Sequence, residues 1–196
     1  GYDSVKDGIN VIQEQRIQEA VSNLLEAIGE NLRRQGLQQT PQRVARMYQE
    51  LFSGIGLDPG EAIDTVFDAE NQDPVVLRDI PFHSICEHHL LPFFGMAQLA
   101  YIPNGKIAGL SKLARSLEVA TRRLQVQERL TAQVADAIAP ALNPSGVAVE
   151  LEAEHLCMSM RGIQKPGNRV ITTAVRGPFA NGGLDREGLL ALLKRR

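Results

Sequence analysis

Three observations in this 196-residue chain predict an α+β fold. Apolar residues recur at helical spacing through the first third. Two pairs of alternating, β-rich runs follow, at 74–85 with 95–103 and at 146–160 with 168–177. Between the pairs, from 111 to 142, the spacing returns to helical. The expected organisation is a helical arm over residues 1–70 and a second domain over 71–196, ordered strand, strand, helix, helix, strand, strand, with a closing helix.

The elements are justified in order. Ile9, Val11, Ile12, Ile17, Ala20, Val21, Leu24, Leu25 and Ile28 repeat as one helix face, which predicts a helix over 9–35 ended by Gly36. Thr40-Pro41 reads as an N-cap and first-turn proline, opening a helix to Leu51. SGIGLDPG, 53–60, is a loop. Asn104-Gly105 marks a turn after the second strand, and Asn143-Pro144-Ser145-Gly146 breaks the second of the central helices, 111–124 and 126–142. The last run, 184–196, reads as a short helix.

Composition narrows function. The 21 basic and 23 acidic residues leave a net charge of -2, which excludes a bulk pull towards nucleic acid or an acidic membrane. No apolar run approaches the roughly 20 residues that span a bilayer. GYDSVKDGIN has no signal-peptide pattern. With two cysteines in the chain, a reducing, cytoplasmic setting is expected, where Cys beside His reads as metal ligation or catalysis.

Cysteine and histidine are concentrated in two places. His83, Cys86, His88 and His89 fall within seven residues, and His155 and Cys157 stand together later. Cys86 and His89 have the C-x-x-H spacing that lets one turn aim two ligands at one point. In a strand, His155 and Cys157 would share a face. Spacing favours Cys86, His89 and Cys157 as metal ligands, leaving His88 and His155 free for acid–base work. Taken singly, the cysteines also suit a core, and a fourth ligand, His88, would make the site structural instead of catalytic. His83 reads as an ordinary strand or loop histidine.

Ser111 opens a helix in which Lys112 and Arg115 lie on one face. Cations in a first turn oppose the helix dipole, so the combination points to an anion site; solvated surface charges are the plainer alternative. No G-x-x-x-x-G-K-[ST] loop is present. Arg161 could add charge at a strand end. Gln127-Glu128 heads the next helix, where a first-turn Glu favours the dipole and could alternatively read the polar edge of a base. For Arg122-Arg123, at a helix end, the dipole suffices.

TPQRVARM (40–47), CEHHLLPF (86–93), GLSKLAR (109–115), QVQERLTAQ (125–133) and EHLCMSMRG (154–162) together resemble the GTP cyclohydrolase I family, in its order and over roughly residues 35–180. The resemblance implies a tunnelling fold (ββααββ) with an N-terminal helical extension, in a toroidal homodecamer of two pentamers with active sites between subunits. It implies Zn2+ on Cys86, His89 and Cys157, activating water for attack on C8 of GTP, and His88 and His155 moving protons. It further implies Glu128 and Gln127 on the guanine edge, and Ser111, Lys112, Arg115 and Arg161, with Arg43, on triphosphate and ribose; Ser111 would also assist the later ribose rearrangement. The products would be 7,8-dihydroneopterin triphosphate and formate, at the entry to folate and pterin synthesis. A zinc-stapled nucleotide-binding module and a relative acting on another purine or pterin are the competing readings.

Overall fold

The helical stripe near the N-terminus is cut short by a glycine that the sequence reading passed over. In the computed structural model, which describes residues 5–6, 9–10, 12–70, 72–177 and 185–194, helix α1 runs only from Glu14 to Ala27. Gly29 adopts φ +89°. Its N–H donates to the Glu26 carbonyl at 3.0 Å, and the Glu30 N–H donates to the Leu25 carbonyl at 2.9 Å. That paired pattern is a Schellman end, which needs a residue tolerant of positive φ. Ile9 and Asn10, expected in the helix, form strand β2, antiparallel to β1 (Val5–Lys6).

Helix α2, Thr40–Leu51, starts where expected, with Pro41 in its first turn. Thr40 is not its side-chain cap; its hydroxyl donates backwards to the Gly36 carbonyl at 3.3 Å. Gln49 Nε2 donates to Glu14 Oε2 at 3.1 Å, tying α2 to α1. Gly29→Ala is expected to destabilise this helical pair by about 1 kcal/mol, because a Cβ is strained at positive φ. Chemical denaturation followed by far-UV circular dichroism checks it; an unchanged curve would mean that Gly29 does not set the helix end.

The chain divides after Gly56, earlier than the boundary at 70 expected from the sequence. A short 3-10 turn, Pro59–Ala62, packs on the helices of the second unit, and strand β3 (Val66–Asp68) pairs with β6 (Lys106–Ala108). These long-range pairings have no local signature.

In the second unit the order is strand, strand, helix, helix, strand, strand, as the α+β reading expected: β4 (Val75–Cys86), β5 (Pro92–Ile102), α3 (Leu110–Thr121), α4 (Gln127–Leu142), β8 (Gly146–His155) and β9 (Val170–Arg176). The sheet runs β7-β4-β5-β8-β9. Neighbours are antiparallel except β7 (Leu124–Gln125), which joins β4 in parallel. Alternation sorts the faces. Val147, Val149, Leu151 and Ala153 of β8 pack with Leu113 and Leu117 of α3 and with Leu130, Val134 and Ile138 of α4. Ala148 faces the other way, with Leu189 and Leu193 of α6 (Arg186–Leu193). The expected ends of that last helix, at 184 and 195–196, lie outside the described residues. Among the described residues, no helix is long and apolar enough to cross a membrane.

Two local devices shape this sheet. A bulge between Leu77 and Ile80 puts Asp79 at φ 56°, and the buried Gln98 side chain accepts the Asp79 N–H at 2.8 Å. Gly95, opposite Ala153, lets β5 approach β8 closely: a Cβ there would lie 1.8 Å from the Glu152 carbonyl oxygen.

Candidate active site

The site grows from the ends of the central strands. β4 ends at Cys86, and the chain turns back at once: the Leu90 N–H donates to the Cys86 carbonyl and the Cys86 N–H to the Leu91 carbonyl, both at 2.9 Å. Leu90 takes φ 54° to close that turn. Arg129 of α4 reaches Glu87 as an ion pair, and its Nε donates to Gln125 Oε1 at 3.1 Å, so the turn is fastened to the head of α4.

β8 ends at His155. The expected continuation of the strand to 160 does not form; Leu156–Ser159 makes one helical turn, α5, carrying Cys157. Ser159 Oγ donates to Glu154 Oε1 at 2.7 Å across this turn, which the alternating pattern does not announce. Cys157 therefore meets His155 through a bend and not as a neighbour on a strand face.

The bend brings the two distant clusters together. Ligand atoms of Cys86, His155 and Cys157 lie within 4.8 Å of one another. Cys86 is 4% exposed. Burial, and then the neighbouring Cys86, push the Cys157 thiol above its usual range. Two thiols so placed resist ionising together, and a bound cation reverses that preference. Sulfur and nitrogen donors at this spacing suit a borderline-soft divalent metal such as zinc.

His155 is held by two side chains. Its ring stacks on Phe93 with centroids 4.6 Å apart and planes 2° from parallel. Phe93 is itself fully buried and pairs with His155 across β5 and β8. His155 Nε2 lies 2.7 Å from Gln127 Oε1. Burial lowers the imidazole pKa, and the charge of Glu128 partly opposes that. A buried imidazole favours its neutral form, the form in which one nitrogen carries a lone pair.

The other expected residues are distributed unevenly. His88 points back at the cluster, with Nδ1 3.8 Å from the Cys86 sulfur. His89 is exposed on the turn, and the imidazole grouped with the two thiols is that of His155. Glu128 is exposed at the head of α4, whereas Gln127 is 1% exposed and bonded inward. Ser111 and Arg115 line a cavity of about 380 Å³ between α3 and β4, which also includes His83. Lys112 pairs with Asp64 at 2.7 Å. Arg161 is exposed after α5. Arg43 lies on α2 in the first unit, exposed, with Nη2 donating to Gln39 Oε1 at 3.2 Å. Phe93, Gln125 and Arg129 were not singled out by sequence reasoning; only the short distance of Gln125 and Arg129 from Gln127-Glu128 could have pointed to them.

The family model described as GTP cyclohydrolase I matches residues 17–194. A GTP cyclohydrolase 1 of Streptococcus gordonii is 54% identical over 180 residues, covering 91% of this chain and 96% of that protein. One from Halalkalibacterium halodurans is 53% identical over 184 residues, covering 93% and 98%. A solved structure of the archaeosine synthase QueF-Like in the apo form has a TM-score of 0.42 and 20% identity, over 53% of this chain and 93% of its own.

Proposed function

We propose a zinc-dependent hydrolase that opens the purine of GTP, and the premise is plain: this chain belongs to the GTP cyclohydrolase I family. The reaction takes GTP and water to 7,8-dihydroneopterin triphosphate and formate, the first step towards folates and pterins. The observation that carries the reading is the convergence of Cys86, His155 and Cys157.

Cys86, Cys157 and His89 would hold the zinc. The C-x-x-H spacing keeps His89 on the same turn as Cys86, and His155 is then left as a clamped proton-transfer group. Bound there, zinc supplies a Lewis acid that activates water near neutral pH. His155 and His88 give and take protons as the imidazole ring of the base opens and formate leaves. Glu128, exposed beside His155, accepts the N–H edge of guanine; adenine, offering a different edge, leaves that carboxylate unsatisfied. Ser111 and Arg115 bind triphosphate from the cavity wall, and Lys112 joins them by exchanging its exposed partner Asp64 for phosphate. Arg161 adds charge from the turn after α5. Arg43 contributes from a neighbouring copy, in a ring-shaped homodecamer of two pentamers.

Metal content and GTP turnover of one purified sample, before and after chelation, provide the test. Formate release and pterin fluorescence should fall with chelation and return with zinc. Tightly held zinc without turnover would replace the enzyme with a zinc-stapled nucleotide-binding module.

A further inference from the structure

We infer that Gln127 is a positioning residue that fixes the tautomer of His155, with the hydrogen on Nε2 and the lone pair of the neutral ring on Nδ1. The inference rests on the cyclohydrolase reading only for its effect on turnover; the tautomer itself follows from hydrogen bonding within the chain.

The Gln127 side chain lies between β8 and β9, 1% exposed. Its Nε2 donates to the Leu151 carbonyl at 3.0 Å and to the Val170 carbonyl at 2.9 Å. An amide nitrogen has two hydrogens, and both are used. Turning the amide over would set its oxygen against two carbonyl oxygens and leave their lone pairs unsatisfied in a buried place, at a cost of roughly 1–3 kcal/mol per group. The amide orientation is therefore set by the backbone of two strands. Its oxygen faces His155 Nε2 at 2.7 Å and can only accept. His155 must donate from Nε2, whether the ring is neutral or charged, and the lone pair of the neutral ring sits on Nδ1.

Phe93 completes the device. Stacked flat on the imidazole, it fixes the plane of the ring, and a half-turn within that plane would put a carbon in place of Nε2 opposite the Gln127 oxygen and lose the hydrogen bond. Gln127 thus acts on the site through His155, as outer partners orient metal-site histidines generally. It does not face the guanine edge, the role its neighbour Glu128 keeps. The sequence places these two residues side by side, and the helix start turns one inward and the other outward.

The test uses the full chain, zinc-loaded, with 15N-labelled histidine. Long-range 1H–15N correlations distinguish the tautomers, and the His155 signals are those lost in His155→Asn. The expected result is a protonated Nε2 and an unprotonated Nδ1. A protonated Nδ1 with a bare Nε2 overturns the inference. Gln127→Met should give mixed tautomers and lower kcat roughly 10–100-fold with little change in KM for GTP. A raised KM with kcat kept would instead return Gln127 to the base-binding role. The unsubstituted protein supplies the decisive spectrum even if Gln127→Met folds poorly. An Nε2–H tautomer without GTP turnover would remove the cyclohydrolase reading and uphold this one; turnover with an Nδ1–H tautomer would do the reverse.

Discussion

His155→Ala is expected to keep its zinc and lose its turnover, whereas His89→Ala is expected to lose both. The two histidines differ in what holds them. His155 is stacked on Phe93 and bonded to Gln127, and His89 stands exposed on the Cys86 turn. Removing a positioned acid–base group lowers the rate roughly 10²–10⁴-fold. Removing one of three ligands weakens the metal itself. Zinc per chain, measured beside formate release, separates the cases. If His155→Ala releases zinc and His89→Ala retains it, the ligand set becomes Cys86, His155 and Cys157, the three that lie within 4.8 Å of one another. If His155→Ala turns over normally, the assigned proton transfer is wrong.

Gly95→Ala is expected to produce the largest loss of stability from a single methyl group. The added Cβ would meet the Glu152 carbonyl oxygen at 1.8 Å and the Ala153 Cα at 2.8 Å, both backbone atoms with no rotamer to change. The strands must part between β5 and β8, in the middle of the sheet. Overpacking of this kind costs about 3 kcal/mol, which for a chain of this size lowers the thermal midpoint by roughly 6–12 °C. Activity should fall as well, because Phe93 and His155 pair two residues further along the same ladder. Gly105→Ala is the control: its φ is +80° but nothing lies within 4 Å of the added carbon. It should bear only the backbone strain, about 1 kcal/mol. Equal melting of Gly95→Ala and the parent protein would show that the strands can separate without penalty.

Much of this was legible in the residues because it is local. Alternation placed β4, β5, β8 and β9 to within a few residues, and the helical stripe placed α3 and α4. The two Cys and His clusters announced a shared site, and the fold brings Cys86 to Cys157. Local signals failed where distant partners decide. The strand pattern ran on past His155, yet Ser159 bonds to Glu154 and the chain bends. A stop was expected at Gly36, although Gly29 is where the backbone turns left-handed. Gln127 was expected beside Glu128 on the edge of a base, because nothing nearby in sequence reveals that its partners are the Leu151 and Val170 carbonyls. The choice between His88, His89 and His155 as neighbours of the thiols depended on the direction of a tight turn, which spacing alone leaves open.

One feature of β8 limits how such a chain can vary in length. Val147, Val149, Leu151 and Ala153 face the helices, and His155 continues the same parity. Inserting or deleting one residue anywhere within 146–155 would exchange the two faces beyond that point. It would put acidic side chains into the core and swing the imidazole away from Gln127 and the thiols together. Packing and chemistry are thus written in one reading frame of side chains along this strand. A change of length in the turn at 103–105 would shift no such frame.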